Sequence, residues 1–146
     1  MNMFSKSLFS AVGLVLVLTA PGFCQGDPKS DPKAVKKVVA TIDADGVQRV
    51  EILGGGYFYN PNYVVVKVNV PVELSVRKES GMTPHDFVIK APEAGIVVSV
   101  SLDAKPQIVK FTPTKAGTYP FFCSKKMVFM SSHKDKGMEG VLEVTE

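Results

Sequence analysis

From residue 38 onward, short apolar-rich runs are separated by Gly, Pro and Asn. Residues 38–43 and 48–53 are β-type, and 63–70 and 72–77 are Val-rich and partly alternating, with Pro71 marking a break between them. Alternation with period two sends successive side chains to opposite faces of a strand, one of them toward a core. The pattern continues over 86–90, 95–102, 107–112, 117–122 and 140–145. Between these runs, Gly54-Gly55-Gly56 predicts a turn or bulge and Asn60-Pro61-Asn62 a turn, flanking the aromatic Tyr57-Phe58-Tyr59. No long segment has helical periodicity. The expected architecture is all-β, a β-sandwich or Greek-key barrel of about eight strands. Residues 125–132 contain no breaker, which allows one short helix there. Met127, Val128, Phe129 and Met130 would form its apolar face and cover the sandwich.

The N-terminus follows a different pattern. Lys6 precedes an apolar run of 13 residues, 8–20. A positive start and a short apolar core describe a secretory signal peptide. The run falls short of the about 20 residues a membrane span needs. Gly22 and Cys24 are the small residues at the third and first positions before a cut, so the expected signal peptide is 1–24. Residues 25–36, polar and rich in Asp, Lys and Pro, read as a disordered leader, and 37–146 as one domain. The expected product is exported, periplasmic or otherwise, with no membrane span after cleavage. The formal charge of +3 is too mild to suggest a nucleic-acid partner.

Removal of Cys24 leaves Cys123 without a partner in an oxidising compartment. Such a thiol is either buried and inert or occupied by a metal. Its neighbourhood favours the metal. The segment 119–144 holds Cys123, three methionines and one of only two histidines, His133. The other is His85, in Thr83-Pro84-His85-Asp86-Phe87. Two imidazoles, a thiolate and a weak thioether are the ligands of a mononuclear blue-copper site, and they serve both Cu(I) and Cu(II). The chain offers His85, Cys123, His133 and Met138 for one copper ion. His85 sits just before a predicted strand, Cys123 ends another, and Met138 opens the last.

Three pieces carry a family resemblance: His85 before Asp86-Phe87-Val88-Ile89; Ala116-Gly117-Thr118-Tyr119-Pro120-Phe121-Phe122-Cys123; and His133-Lys134-Asp135-Lys136-Gly137-Met138 leading into Glu139-Gly140-Val141. In these the sequence resembles the cupredoxins, the small β-sandwich copper proteins typified by plastocyanin and azurin. The resemblance spans roughly 38–146. It implies an eight-stranded Greek-key fold, a type 1 copper centre and one-electron transfer. His85, Cys123 and His133 would be equatorial ligands and Met138 axial. One departure is large: nine residues, 124–132, separate Cys123 from His133, where plastocyanin- and azurin-type members have only a few. The insertion loops away from the metal and returns. A binuclear site of the cytochrome oxidase type needs a second cysteine in this loop, and Met127 stands near its place.

Enzyme readings fare poorly. Copper oxidases and nitrite reductases need further histidines for a second metal site, and none remain. Gly54-Gly55-Gly56 lacks the spacing and Lys of a phosphate loop. Ser131, His133 and Asp135 are merely neighbours in sequence, with no sign of a triad. Two other readings stand beside electron transfer. One is a periplasmic copper carrier or sensor that binds Cu(I) through Cys123 and the sulfurs of Met82, Met127 and Met130. The weaker one is an immunoglobulin-like adhesion module without metal. Lys125, Lys126, Lys134 and Lys136 bracket the ligand loop, where a basic rim would attract an acidic redox partner.

Overall fold

The computed structural model describes residues 34–146. The signal peptide expected at 1–24, and residues 25–33 of the leader expected at 25–36, lie outside the described residues. Ala34 and Lys36 are tied to the domain: Asn62 Nδ2 donates to Ala34 O at 3.2 Å, and Lys36 N–H donates to Asn62 Oδ1 at 2.7 Å.

The described chain is all-β. In chain order the strands are β1 (Lys37–Val39), β2 (Gln48–Gly55), β3 (Phe58–Asn60), β4 (Tyr63–Lys67), β5 (Val72–Lys78), β6 (Asp86–Ala91), β7 (Ile96–Ser101), β8 (Gln107–Phe111), β9 (Gly117–Phe122) and β10 (Glu139–Thr145). They form two sheets, ordered β1-β4-β10-β9-β6-β7 and β3-β2-β5-β8. The pairs β1/β4, β4/β10 and β2/β5 are parallel, and the others antiparallel.

The alternation read from sequence is physical. Along β2, Gln48, Val50 and Ile52 are buried while Arg49 and Glu51 are exposed. Along β10, Gly140, Leu142 and Val144 are buried. Val72, Leu74 and Val76 of β5 meet Ile52, Phe87, Ile89, Ile96, Phe121 and Leu142 in one cluster drawn from both sheets. Burying each such side chain contributes about 1.5–3 kcal/mol relative to leaving it in water. Beneath the pole where β6 begins and β9 ends, Tyr59, Phe87 and Phe121 pack with ring centroids 5.0–5.6 Å apart.

Ten strands form, where nine β-type runs suggested about eight. The strand outside those runs is β3, whose three residues are held by pairing with Leu53, Gly54 and Gly55 of β2. Correspondingly, β2 runs on through Gly54 and Gly55, and the turn or bulge expected at the triple glycine is a turn made by its last member, Gly56, with Tyr57, at φ of 47° and 66°. Pro71 does mark the break between β4 and β5.

The short helix expected in 125–132 does not form. The one helical turn among the described residues is Pro92–Ala94. The ends of the segment are drawn together by a bond from His133 N–H to Lys125 O at 2.9 Å. A helix over these residues would hold those ends about 12 Å apart. Instead Met127 to Met130 make a tight turn, closed by Met130 N–H to Met127 O at 3.1 Å. Met127, Val128, Phe129 and Met130, expected as a buried helix face, are therefore exposed.

Gln48 is the one buried side-chain amide among the described residues. Its Nε2 donates to Lys67 O and Val70 O, and its Oε1 accepts from Lys67 N–H at 2.6 Å. It thus fastens the β4–β5 connection to β2. Gln48→Leu leaves these backbone groups without a partner. It is expected to lower stability by about 1–3 kcal/mol, read as a shifted urea midpoint at unchanged slope.

Candidate metal centre

Two strand ends and one loop bring the expected site residues to the same pole. His85 precedes β6, and its carbonyl accepts from Leu102 N–H at 2.9 Å. Cys123 follows β9 directly, with its N–H on Met138 O at 3.0 Å. Met138 N–H in turn donates to His133 O at 2.9 Å. The long loop therefore closes through backbone bonds that pass from Cys123 to Met138 to His133 to Lys125, and the insertion does not displace His133.

The donor atoms converge. The two imidazole Nδ1 atoms lie 3.1 Å apart. Cys123 Sγ is 3.5 Å from His133 Nδ1 and 3.9 Å from His85 Nδ1. All three residues are buried, as is Met138. Met138 has room because Gly54 lies against it: a Cβ there would stand 3.2 Å from the Met138 methyl and 2.9 Å from Leu102 Cδ1.

Electrostatics keep the cluster neutral. Burial, joined by the fields of His133 and Lys78, pushes His85 down to about 4. Burial, then Lys136, pushes His133 below the usual imidazole range. Burial also pushes the Cys123 thiol up, against the opposing backbone N–H groups of Asp86 and Lys125. Neutral imidazoles with free Nδ1 lone pairs are what a cation requires. His133 Nε2, on the far side of the ring from the converging Nδ1 atoms, is buried without a hydrogen-bond partner among the described residues. The residues fit a single soft or borderline metal ion, and the two-imidazole, thiolate and thioether set is suited to copper.

Three further residues shape the pole that the sequence reading does not single out. Asp86 is buried and accepts from Ser124 N–H and Ser124 Oγ–H, each at 2.6 Å. Burial alone would raise this carboxyl, but the two Ser124 bonds, followed by Cys123 and Lys125, hold it below its ordinary value. The carboxylate thus pins the residue after Cys123 to the residue after His85. Adjacency to His85 and Cys123 is the only sequence signal for Asp86 and Ser124. The third is Tyr57, whose ring stands edge-on to His133 and to His85, with centroids 4.9 and 6.1 Å away. Nothing in its local sequence announces that contact.

Other expected groups lie elsewhere. Met82, Met127 and Met130 are on the surface. Asp135 is engaged with Ser132, each backbone N–H bonded to the other's side chain at 3.1 Å. Of the rim lysines, Lys125 lies 3.7 Å from Asp86, Lys134 is 4.0 Å from Glu139, and Lys136 holds Tyr57. Lys126 has no ion pair among the described residues. No helix among these residues is long and apolar enough to cross a membrane.

The fold is shared with solved structures of copper proteins. The metal-binding domain of the Cu(I)-exporting P-type ATPase CopA of Streptococcus pneumoniae D39 superposes with a TM-score of 0.60 at 16% identity, over 77% of this chain and 99% of that one. A copper-binding protein solved in its apo form gives 0.55 at 24% identity, over 77% and 99%. Reduced auracyanin from the photosynthetic bacterium Roseiflexus castenholzii gives 0.53 at 19% identity, over 67% and 97%. At such identities the likeness speaks for the fold. No curated protein sequence matches the chain. The model of the cupredoxin-like domain, however, matches residues 14–137, most of its length, and the chain accordingly belongs to the cupredoxin family.

Proposed function

We propose that this protein is an exported carrier of single electrons that holds one copper ion at the His85–Cys123–His133 pole. The observation that carries the reading is the convergence of two imidazole Nδ1 atoms and one thiol in a buried, neutral cluster on a rigid sandwich. His85 and His133 would bind through Nδ1, Cys123 as thiolate, and Met138 as the weak thioether. Bound copper supplies one-electron chemistry between Cu(I) and Cu(II). The protein's part is to hold the donors in place in both states. Backbone bonds fix Cys123, His133 and Met138, and the Asp86 carboxylate couples the β6 and β9 ends. Export rests on the signal peptide read at 1–24.

The test is titration of the purified, metal-free protein with copper. One equivalent is expected to give an intense visible thiolate band and a reversible voltammogram. Absence of both would remove the reading. The second reading, carriage of Cu(I), is favoured by the exposed thioethers of Met82, Met127 and Met130. It requires binding of Cu(I) only, with no reversible couple.

The acidic-partner reading also belongs here. The exposed Met127–Met130 turn, with Lys126 free beside it, would form the contact. Electron transfer to an acidic partner is expected to slow steeply between about 0.01 and 0.15 M salt, as the screening length falls from about 30 to about 8 Å. Lys126→Ala should flatten that dependence. A rate insensitive to salt in the unaltered protein would exclude electrostatic docking.

A further inference from the structure

The Gly56-Tyr57 pair is the two-residue loop of the β2–β3 hairpin, since Gly55 pairs with Phe58. Both loop residues have positive φ, as a type I′ turn demands. That turn favours Asn or Gly at its centre, and an aromatic residue at φ 66° is strained. Tyr57 therefore occupies a position where glycine would be the easier residue. What its side chain does there is visible in its contacts.

The ring lies edge-on over both imidazoles. Lys136 fastens it in two ways: Nζ donates to Tyr57 Oη at 3.2 Å and stands 4.3 Å from the ring centroid. Lys136 belongs to the loop between His133 and Met138, so the fastening joins the hairpin to the ligand loop. Under this cover His133 is 1% exposed and His85 4%. A cleft of about 130 Å³ runs beside the ring, lined by Tyr57, Lys78, Thr83 and His85. The cleft meets His85 directly and places solvent one side chain away from His133.

We propose that Tyr57 is a positioning residue of the site: held by Lys136, its ring covers the two imidazoles and sets how fast metal ions and competing ligands reach them. The inference rests on the metal-binding reading of this pole. It explains why a strained aromatic stands in the hairpin, and it bears on whether copper is retained or handed on. A cover that opens rarely suits a resident electron carrier.

Two measurements test it. The first uses the metal-free protein: acylation of His133 by diethyl pyrocarbonate, located by mass spectrometry. Tyr57→Gly relieves the positive φ but gives up the ring's contacts with the imidazoles and Lys136, two opposing effects, so the domain should remain folded and melt near the parent. Acylation of His133 should nevertheless accelerate severalfold. Tyr57→Phe keeps the ring and should stay near the parent rate, with Lys136→Met between the two. Equal His133 rates in the parent and Tyr57→Gly would overturn the proposal.

The second follows the copper-loaded protein and its loss of Cu(I) to bathocuproine disulfonate. The same order is expected, again with a severalfold gain for Tyr57→Gly. An unchanged rate would overturn control of metal exchange. If the protein takes up no copper, the functional reading fails, and the acylation series still decides whether Tyr57 covers the imidazoles.

Discussion

Cys123→Ser is expected to abolish the visible thiolate band and to cut Cu(I) affinity by more than the about 10–100-fold that outer-shell changes produce. Serine keeps the shape of the side chain and can hydrogen-bond to His133 Nδ1, 3.5 Å from the present Sγ. The copper-free domain should therefore melt close to the parent. What disappears is the soft anionic donor. An alcohol does not ionise at neutral pH as a metal-bound thiol does, and oxygen is a poor match for Cu(I). Met82→Leu is the companion variant. Met82 is fully exposed, so its loss should leave the band intact under the electron-carrier reading. Were Met82→Leu to cost more Cu(I) affinity than Cys123→Ser, the sulfur-rich carrier reading would take its place.

Gly140→Ala should destabilise the domain by about 3 kcal/mol, near the upper end for an overpacked core, and lower its melting midpoint by roughly 10 °C. Gly140 lies in β10 directly opposite Phe121 of β9. A Cβ there would enter the Phe121 ring and come to 2.5 Å from the Asn62 carbonyl oxygen. The carbonyl cannot retreat cheaply, because it accepts the Val141 N–H at 2.9 Å. The ring cannot retreat either, being packed against Tyr59 and Phe87. Phe121 stands two residues before Cys123, so the strain reaches the metal pole. Circular dichroism on heating measures the effect, and an unchanged midpoint would contradict the packing argument.

The strands were the most legible part of this protein, because alternation depends on neighbours in sequence. Val50 and Ile52 beside Glu51, and Leu142 and Val144 beside Glu143, show their buried faces directly in the order of residue types. The loop from Cys123 to His133 was the least legible. Its apolar Met127-Val128-Phe129-Met130 run has the composition of a buried helix face. A stretch this short cannot sustain a helix without tertiary support, and the His133-to-Lys125 bond selects a closed loop instead. Similarly, the triple glycine reads as a turn or bulge, and only its last member, Gly56, enters the turn, while Gly54 and Gly55 are strand residues. Gly54 is needed small by Met138 and Leu102, and both come from elsewhere in the chain.

By itself the sequence determined the all-β class, the cupredoxin resemblance and the short roster of soft donors, since each follows from residue type and order. Tertiary structure alone decided that His85, forty-eight positions from His133, faces it at 3.1 Å. It also placed the Asp86 carboxylate across both ligand-bearing strand ends and Tyr57 over the imidazoles. These outcomes depend on which strands become neighbours. That choice is made by burial summed over the whole core and leaves little trace in any local stretch of the chain.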